Sequence, residues 1–374
     1  MSPMLEMQSP PGPETVFNGK SYLYFGGTSY LGLAGRAEVI EAGCAALRQY
    51  GVHSATSRSR FGSSPPLLEV EAKAAQFFGA EAAFYFGSGY MTNHILVAAV
   101  GEGVEAVLVE KSSHYCVLEA ARLLDVPLVL FDCRIEGDLE KCLGSYRRVL
   151  VMADAVGPSS GKIAPIGEFL CVLKHLDQAT LLLDDAHGFG VLGGDGRGML
   201  DEFDLWPKVN GGEGADGVRL VVGGTLSKAL GGFGGIIPGT SRFVTQVREA
   251  SNYFDGASAP GAAVAGSSAK ALEIVLAEPG LRERLGENVR LVKDGLRALG
   301  LQVPDGKCAN FGVSIGGVSN MQRLHAELLE RGILLPYVGA YSGIPAEGVL
   351  RFAVFANHSQ TQLKRLLSEI KTVL

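Results

Sequence analysis

The chain reads as an α/β protein with a mostly parallel central sheet in a large domain and a smaller α+β domain at its C-terminal end. Three observations predict this. Short apolar runs at 82–86, 106–109, 127–131, 149–152, 181–183 and 220–222 alternate with stretches of helical spacing. The run at 181–183 ends in Asp184-Asp185, and acids at the carboxyl end of a parallel strand face the crevice where open α/β sheets bind ligands. Beyond Phe254 the pattern changes to long helical stretches broken by brief strand-like segments.

Residues 1–40 are rich in Pro and Gly and then extended around Tyr22-Leu23-Tyr24-Phe25, which predicts an arm. Helical spacing follows at 37–50. A loop dense in Ser and Arg covers 53–64, and a second helix at 65–78 is stopped by Gly79. The run 210–216 is a low-complexity patch, expected as a surface loop. Helices are expected at 262–276, 281–299, 321–330 and 360–374, with strands at 311–315 and near 334 and 350. The implied division is an arm at 1–40, a large domain at 41–253 and a small domain at 254–374.

The 374 residues, 47% of them hydrophobic, suffice for a large core. A net charge of −6 without a basic cluster argues against nucleic acid as a partner. Residues 1–13 have no basic residue or apolar core, so they do not read as a targeting peptide, and no apolar stretch is long enough to span a bilayer. The six cysteines are scattered without a CxxC pair, which predicts reduced thiols in a cytoplasmic protein and no metal site.

Lys228 carries the chemistry. It lies in Thr225-Leu226-Ser227-Lys228-Ala229-Leu230-Gly231-Gly232, at the end of an apolar run and the start of a glycine loop. An amine held partly out of water is a usable nucleophile and suits a Schiff-base role. Thr225 and Ser227 offer hydroxyls for a phosphate. A solvated loop lysine fits the motif equally well when taken alone. Upstream, Asp184 stands where a carboxylate would face a pyridine nitrogen, and His187 where an imidazole would meet the ring oxygen. Together these point to pyridoxal phosphate, whose protonated ring is the better electron sink.

Two glycine patterns point elsewhere and are rejected. Gly157-Pro158-Ser159-Ser160-Gly161 satisfies G-x-S-x-G, but Lys162-Ile163-Ala164-Pro165 follows where a hydrolase elbow needs a helix. Gly231-Gly232-Phe233-Gly234-Gly235 has the wrong spacing for a dinucleotide fingerprint.

With Tyr30-Leu31-Gly32-Leu33-Ala34-Gly35, Phe77-Phe78-Gly79-Ala80-Glu81-Ala82-Ala83 and Gly87-Ser88-Gly89-Tyr90, the Asp184 and Lys228 motifs resemble the α-oxoamine synthase family, a branch of the fold-type I, aminotransferase-like pyridoxal-phosphate enzymes. The resemblance runs from about Tyr30 to the C-terminus. It implies a condensation of a small amino acid with an acyl-CoA, with loss of carbon dioxide. It places Gly89, Tyr90 and Met91 at the cofactor phosphate, His114 stacked on the ring, Asp154 near that histidine and Arg351 on the substrate carboxylate. It also implies a homodimer with the site between subunits. On the residues alone, His114 reads equally as a helix cap and Arg351 as a solvated strand residue. The chain departs from the family's usual sequence at Ser29 (commonly Asn), Leu67 (often His), Pro158 (usually Ser) and in 255–261, where Ala257 has no hydroxyl for a partner's phosphate. These departures leave the amino acid and acyl chain open, with serine-using and glycine-using relatives as alternatives. An aminotransferase or lyase on the same scaffold is a further alternative, a non-catalytic subunit is opposed by Lys228, and a serine hydrolase is more distant.

Overall fold

The computed structural model describes residues 5–374; the first four residues of the expected arm lie outside the described residues. The arm is a hairpin, with β1 (Glu14–Phe17) and β2 (Lys20–Tyr24) paired antiparallel across Asn18-Gly19, both at positive φ. α1 (Ala37–Tyr50) and α2 (Pro65–Phe78) follow, with Pro65 opening α2 and a left-handed Gly79 closing it. Leu67, at the head of α2, is buried in the core. The Ser/Arg loop between these helices is braced from inside. Arg58 pairs with Glu71 at 2.7 Å and donates to the Tyr85 carbonyl at 3.0 Å, while Glu71 accepts from the Tyr85 N–H at 3.0 Å. That brace fixes β3 (Ala82–Phe86), the strand leading into the glycine loop at 87–89.

The large domain continues with α3 (Thr92–Val100), β4 (Ala106–Glu110), α4 (Tyr115–Ala121), β5 (Leu128–Phe131), α5 (Asp138–Leu143), β6 (Arg148–Asp154), α6 (Ile166–Leu173), β7 (Gln178–Asp184), α7 (Met199–Glu202), β8 (Val218–Thr225) and β9 (Gly235–Gly239). Its seven strands lie in the order β3-β9-β8-β7-β6-β4-β5. All neighbours pair parallel except β9, which runs against both β3 and β8. Apolar clusters cover both faces, which is why these strands read as continuous apolar runs.

Two expectations are corrected. β9 went unread, because Gly-Ile-Ile-Pro-Gly carries three strand breakers, Gly235, Pro238 and Gly239. Pro238 is tolerated because β8 pairs only as far along β9 as Ile236, and the Pro238 carbonyl instead accepts from the Asn210 amide at 2.6 Å. For the same reason the patch 210–216 is not wholly a surface loop. Asn210 is fully buried and its amide also holds both backbone groups of Val222.

The remaining elements are α8 (Ser241–Ala250), α9 (Tyr253–Gly256), α10 (Ala262–Ala277), α11 (Gly280–Ala298), β10 (Asn310–Val313), α12 (Val318–Glu330), β11 (Ile333–Leu334), β12 (Tyr337–Val338), β13 (Val349–Ala353) and α13 (Gln360–Val373). α10 packs on α1 and α2. β10, β13 and β12 form one antiparallel sheet, whereas β11 pairs parallel with β2. The arm is therefore built into the C-terminal region.

His358 locks that junction. Its ring stacks between Phe25 (4.4 Å) and Phe355 (4.9 Å), Nδ1 accepts from the Phe355 N–H, and Nε2 donates to the Tyr24 carbonyl. This is a neutral imidazole, and burial pushes its pKa down to about 4. A histidine with a depressed folded-state pKa loses stability as pH falls from the unfolded value near 6.5 through the folded one, here roughly 3 kcal/mol at most. Urea midpoints measured from pH 7.5 to 4.5 should fall through that window. A His358→Gln protein should start less stable at pH 7.5 and lose less across the same range; equal losses in both proteins would remove His358 as the cause.

Candidate active site

The carboxyl ends of β6, β7 and β8 meet around a cavity of about 290 Å³ lined by Asp154, Asp184, His187, Thr225, Ser227 and Lys228, with Thr28, His114, Cys116 and Pro158 completing much of its wall. Strand register does the positioning. Asp154 pairs with Asp184, and Asp184 with Gly223 on the far side. Lys228 follows β8 by one short turn, fixed where the Thr225 hydroxyl donates to the Gly234 carbonyl at 2.7 Å and the Ser227 hydroxyl accepts from the Gly234 N–H at 2.9 Å. Gly234, at φ +101°, is needed because a Cβ there would lie 2.4 Å from the Phe86 carbonyl.

Asp184 is held from three sides. Oδ1 accepts from the Ala186 N–H at 3.0 Å, Oδ2 accepts from the Asn93 amide at 2.7 Å, and the Cys116 thiol reaches Oδ2 at 3.6 Å. Asn93 was missed in the sequence. Its signal is a place among the three polar residues, Thr92, Asn93 and His94, that open the otherwise apolar α3. His187 Nδ1 lies 2.8 Å from the Tyr30 hydroxyl. Burial raises Tyr30 to about 12, so it keeps its proton, and burial with the Lys228 charge pushes His187 well below the usual range. Tyr30 donating to a neutral His187 leaves the ring's own proton on Nε2. Tyr30 was read as part of a motif, not as a site residue.

His114 is both a helix cap and a residue of the cavity wall. It caps α4 through its Nδ1, which accepts from the Cys116 N–H at 3.2 Å. Its own N–H donates to Asp154 Oδ2 at 2.7 Å. Burial and the neighbouring Asp184 charge push Asp154 well above the carboxylate range. Burial pulls the Lys228 amine down while Asp184 and Asp154 oppose it, which favours a larger share of free amine.

Gly89 and Tyr90 line the cavity at the start of α3, where Ser88 Oγ accepts from the Tyr90 N–H. Gly89 has no room for a Cβ, which would sit 2.6 Å from Thr225 Cβ. The Met91 side chain does not reach the cavity and packs on the apolar cluster instead. Arg351, on β13, is not part of the cavity wall. Its guanidinium sits beside the wall, donating to the Pro158 and Gly27 carbonyls at 3.1 Å each. The Ser29 hydroxyl is buried without a partner. The G-x-S-x-G segment is a tight turn closed by a Gly157 N–H to Lys162 carbonyl bond, with α6 beginning only at Ile166.

This donor set fits pyridoxal phosphate. Asp184 has lone pairs left for a ring nitrogen, His187 Nε2–H suits a ring oxygen, Lys228 supplies the amine, and the amides opening α3 with the Ser227 hydroxyl suit a phosphate. Because the Thr225 hydroxyl is engaged with Gly234, Ser227 is the better phosphate donor of the two.

The sequence profile described as aminotransferase class I and II matches residues 21–370. Among curated proteins, 8-amino-7-oxononanoate synthase of Pseudomonas entomophila is 32% identical over 97% of this chain and 91% of its own length. The enzyme of that name from Stutzerimonas stutzeri is 33% identical over 97% and 91%. Among solved structures, serine palmitoyltransferase from S. paucimobilis, with PLP bound, superposes with a TM-score of 0.88 at 26% identity, covering 99% of this chain and 92% of that one. The Sphingomonas wittichii serine palmitoyltransferase gives 0.88 at 26% identity, over 99% and 91%. The chain belongs to the aminotransferase class I and II family, in its α-oxoamine synthase branch.

Removing the Tyr30 hydroxyl should free the His187 ring without disturbing Lys228. A Tyr30→Phe protein is expected to bind pyridoxal phosphate about 3- to 10-fold more weakly, the worth of one neutral hydrogen bond. An unchanged dissociation constant in a spectrophotometric titration would remove Tyr30 from the ring-holding set.

Proposed function

We propose that this chain catalyses a pyridoxal-phosphate-dependent, decarboxylative condensation of a small α-amino acid with an acyl-CoA, closest to 8-amino-7-oxononanoate synthase. The observation that carries the reading is the convergence of Lys228, Asp184, His187 and His114 on one cavity with the Arg351 guanidinium beside its wall. Likeness over nearly the whole chain to enzymes whose name describes an amino group beside an oxo group supports the α-amino ketone product. A serine-using reading is second, favoured by the 0.88 TM-scores to serine palmitoyltransferases.

When bound, pyridoxal phosphate supplies an aldehyde for amine exchange and a ring that takes up an electron pair from the α-carbon. The chain's own residues do the rest. Arg351 exchanges its two carbonyl acceptors for the substrate carboxylate, a stronger, charge-assisted partner. Lys228 Nζ, whose share of free amine is enlarged by burial, takes the α-proton. Asp184 would hold a proton on the ring nitrogen of the bound cofactor, and His187 Nε2–H would donate to its ring oxygen. The wall at His114, with Tyr90 edge-on at 5.8 Å and Tyr341 at 6.1 Å, limits water around the reacting carbon.

A homodimer suits the surface: Val52 (72% exposed) and Phe61 (90% exposed), between α1 and α2, and Leu47 and Leu68 on those helices are apolar side chains left exposed, as residues buried against a second copy would be. Among the described residues no helix is long and apolar enough to cross a membrane, and all six cysteines are free, which supports a reducing cytoplasmic setting.

The loaded protein, titrated with glycine, alanine and serine and then given an acyl-CoA mixture, should shift its absorbance with one amino acid and release CoA thiol. A shift without thiol release would favour an aminotransferase or lyase. Lys228→Ala should abolish turnover, and Arg351→Lys should raise KM for the amino acid about tenfold or more by losing the two-pronged contact. Light scattering should give twice the mass of one chain; a monomer that turns over would remove the dimer from the reading.

A further inference from the structure

Behind Asp154 lies a second, smaller cavity of about 50 Å³, lined by Glu110, Ser112, Cys133, Arg134, Ser160 and Lys162 among others. Asp154 lines both this cavity and the catalytic one. Glu110 ends β4, and only 4% of it is exposed. Its Oε2 accepts from the Ser112 N–H and hydroxyl, while Oε1 has no partner and belongs to a residue of the cavity wall. A buried carboxylate oxygen left open is costly unless something serves it, and the space admits a water or two.

The proposed reaction, on which the inference rests, needs such an inlet. A zwitterionic amino acid and an acyl thioester carry no net charge between their reacting groups. Their products are an α-ammonium ketone, carbon dioxide and a neutral thiol, so each turnover takes up one proton. The α-carbon–hydrogen, carbon–sulfur and carbon–carboxylate bonds break and the carbon–carbon bond to the acyl group forms; the α-proton taken by Lys228 leaves on the thiolate, and the proton taken up replaces the carboxylate on the α-carbon. A bound cofactor with the amino acid and the thioester end of the acyl-CoA would occupy the mouth side of the cavity, leaving the Asp154 side as the other approach.

We propose that Glu110 and the small cavity form a proton inlet that delivers solvent protons to Asp154 and so to the catalytic cavity. The exposed Lys162 and the buried Glu110 line the small cavity together with Asp154, whose carboxylate accepts from the His114 backbone N–H and lies within the influence of the Lys228 charge. The other charged neighbours are spoken for: Arg134 and Lys111 both pair with Asp132 at 2.8 Å, and burial, then the charge of Glu110 and the thiol's own contact with that carboxylate, raises Cys133 to about 12, leaving it a protonated neighbour of Glu110. Asp154, raised by burial, spends more of its time protonated than an exposed aspartate, as a relay to a carbon acid requires. Glu110 and Asp154 are positioning and relay groups here; neither is assigned to the cofactor ring.

The test uses the full-length, cofactor-loaded protein. Glu110→Gln keeps the shape and the acceptor for Ser112 but carries no exchangeable acid proton. It is expected to lower kcat about tenfold or more and to raise the solvent deuterium isotope effect on kcat, with KM for the amino acid, cofactor affinity and thermal midpoint unchanged. Glu110→Asp should recover most of the rate. Ser160→Val, which fills the cavity from its other side without touching Glu110, should reproduce the loss should the glutamine protein fold poorly. Unchanged kcat and isotope effect in Glu110→Gln and Ser160→Val overturn the inlet. So does a loss that Glu110→Asp shares and that tracks lower cofactor occupancy, which would make Glu110 a loop cap. A wild-type protein that releases no CoA with any amino acid overturns the functional reading itself, and that outcome is read before any variant is made.

Discussion

The parallel register of β6, β7 and β8 is the constraint on which the site depends. Sliding any of these strands by one residue would turn its terminal side chain to the other face. In the register present, Asp154 and Asp184 stand side by side and Lys228 arrives one turn beyond the neighbouring strand. The two acids close together in a buried setting explain the raised Asp154. The same two acids oppose, without cancelling, the burial that lowers Lys228. Placement and protonation thus share one cause.

The loops translate that register into a binding surface. Gly89 and Gly234 bring backbone against Thr225 and Phe86 at distances no side chain allows. Asn93 and Cys116, from two helices, fix the Asp184 carboxylate, so its orientation comes from outside its own strand. The Arg58–Glu71 pair reaches the site indirectly by clamping Tyr85 just before the glycine loop at 87–89. A buried pair of this kind is strongly destabilising when one partner is removed, which makes it a specifying contact for β3.

The arm joins this arrangement from the opposite end of the sequence. Through β2 and β11, and through His358 between Phe25 and Phe355, it is fixed to the C-terminal sheet. It thereby brings the Tyr30 hydroxyl to His187 and the Gly27 carbonyl to Arg351. Arg351 borders the cofactor cavity only because both neighbours of its guanidinium come from other parts of the chain.

Local chemistry was legible in the amino-acid order. The apolar runs gave the strands of the sheet except β9, the 3.6-residue spacing gave α1 and α2 to the residue, and Lys228, Asp184 and His187 were identifiable from residue type and position at strand ends, whereas His114 was pointed to only by the family resemblance. β9 was hidden because Pro238 is admissible only where a neighbouring strand stops. Asn210 was hidden because its polarity reads as a loop until two strands are seen on its amide. Asn93, Cys116 and Tyr30 entered the site through contacts across 91, 68 and 157 residues, distances over which no sequence pattern operates. The sequence by itself determined which side chains are able to do the chemistry, because periodicity and residue type act locally. Only the tertiary structure decided which of them share a cavity, which protons they keep and where a second acid lies open behind the first, because burial and electrostatics depend on what folds back from far along the chain.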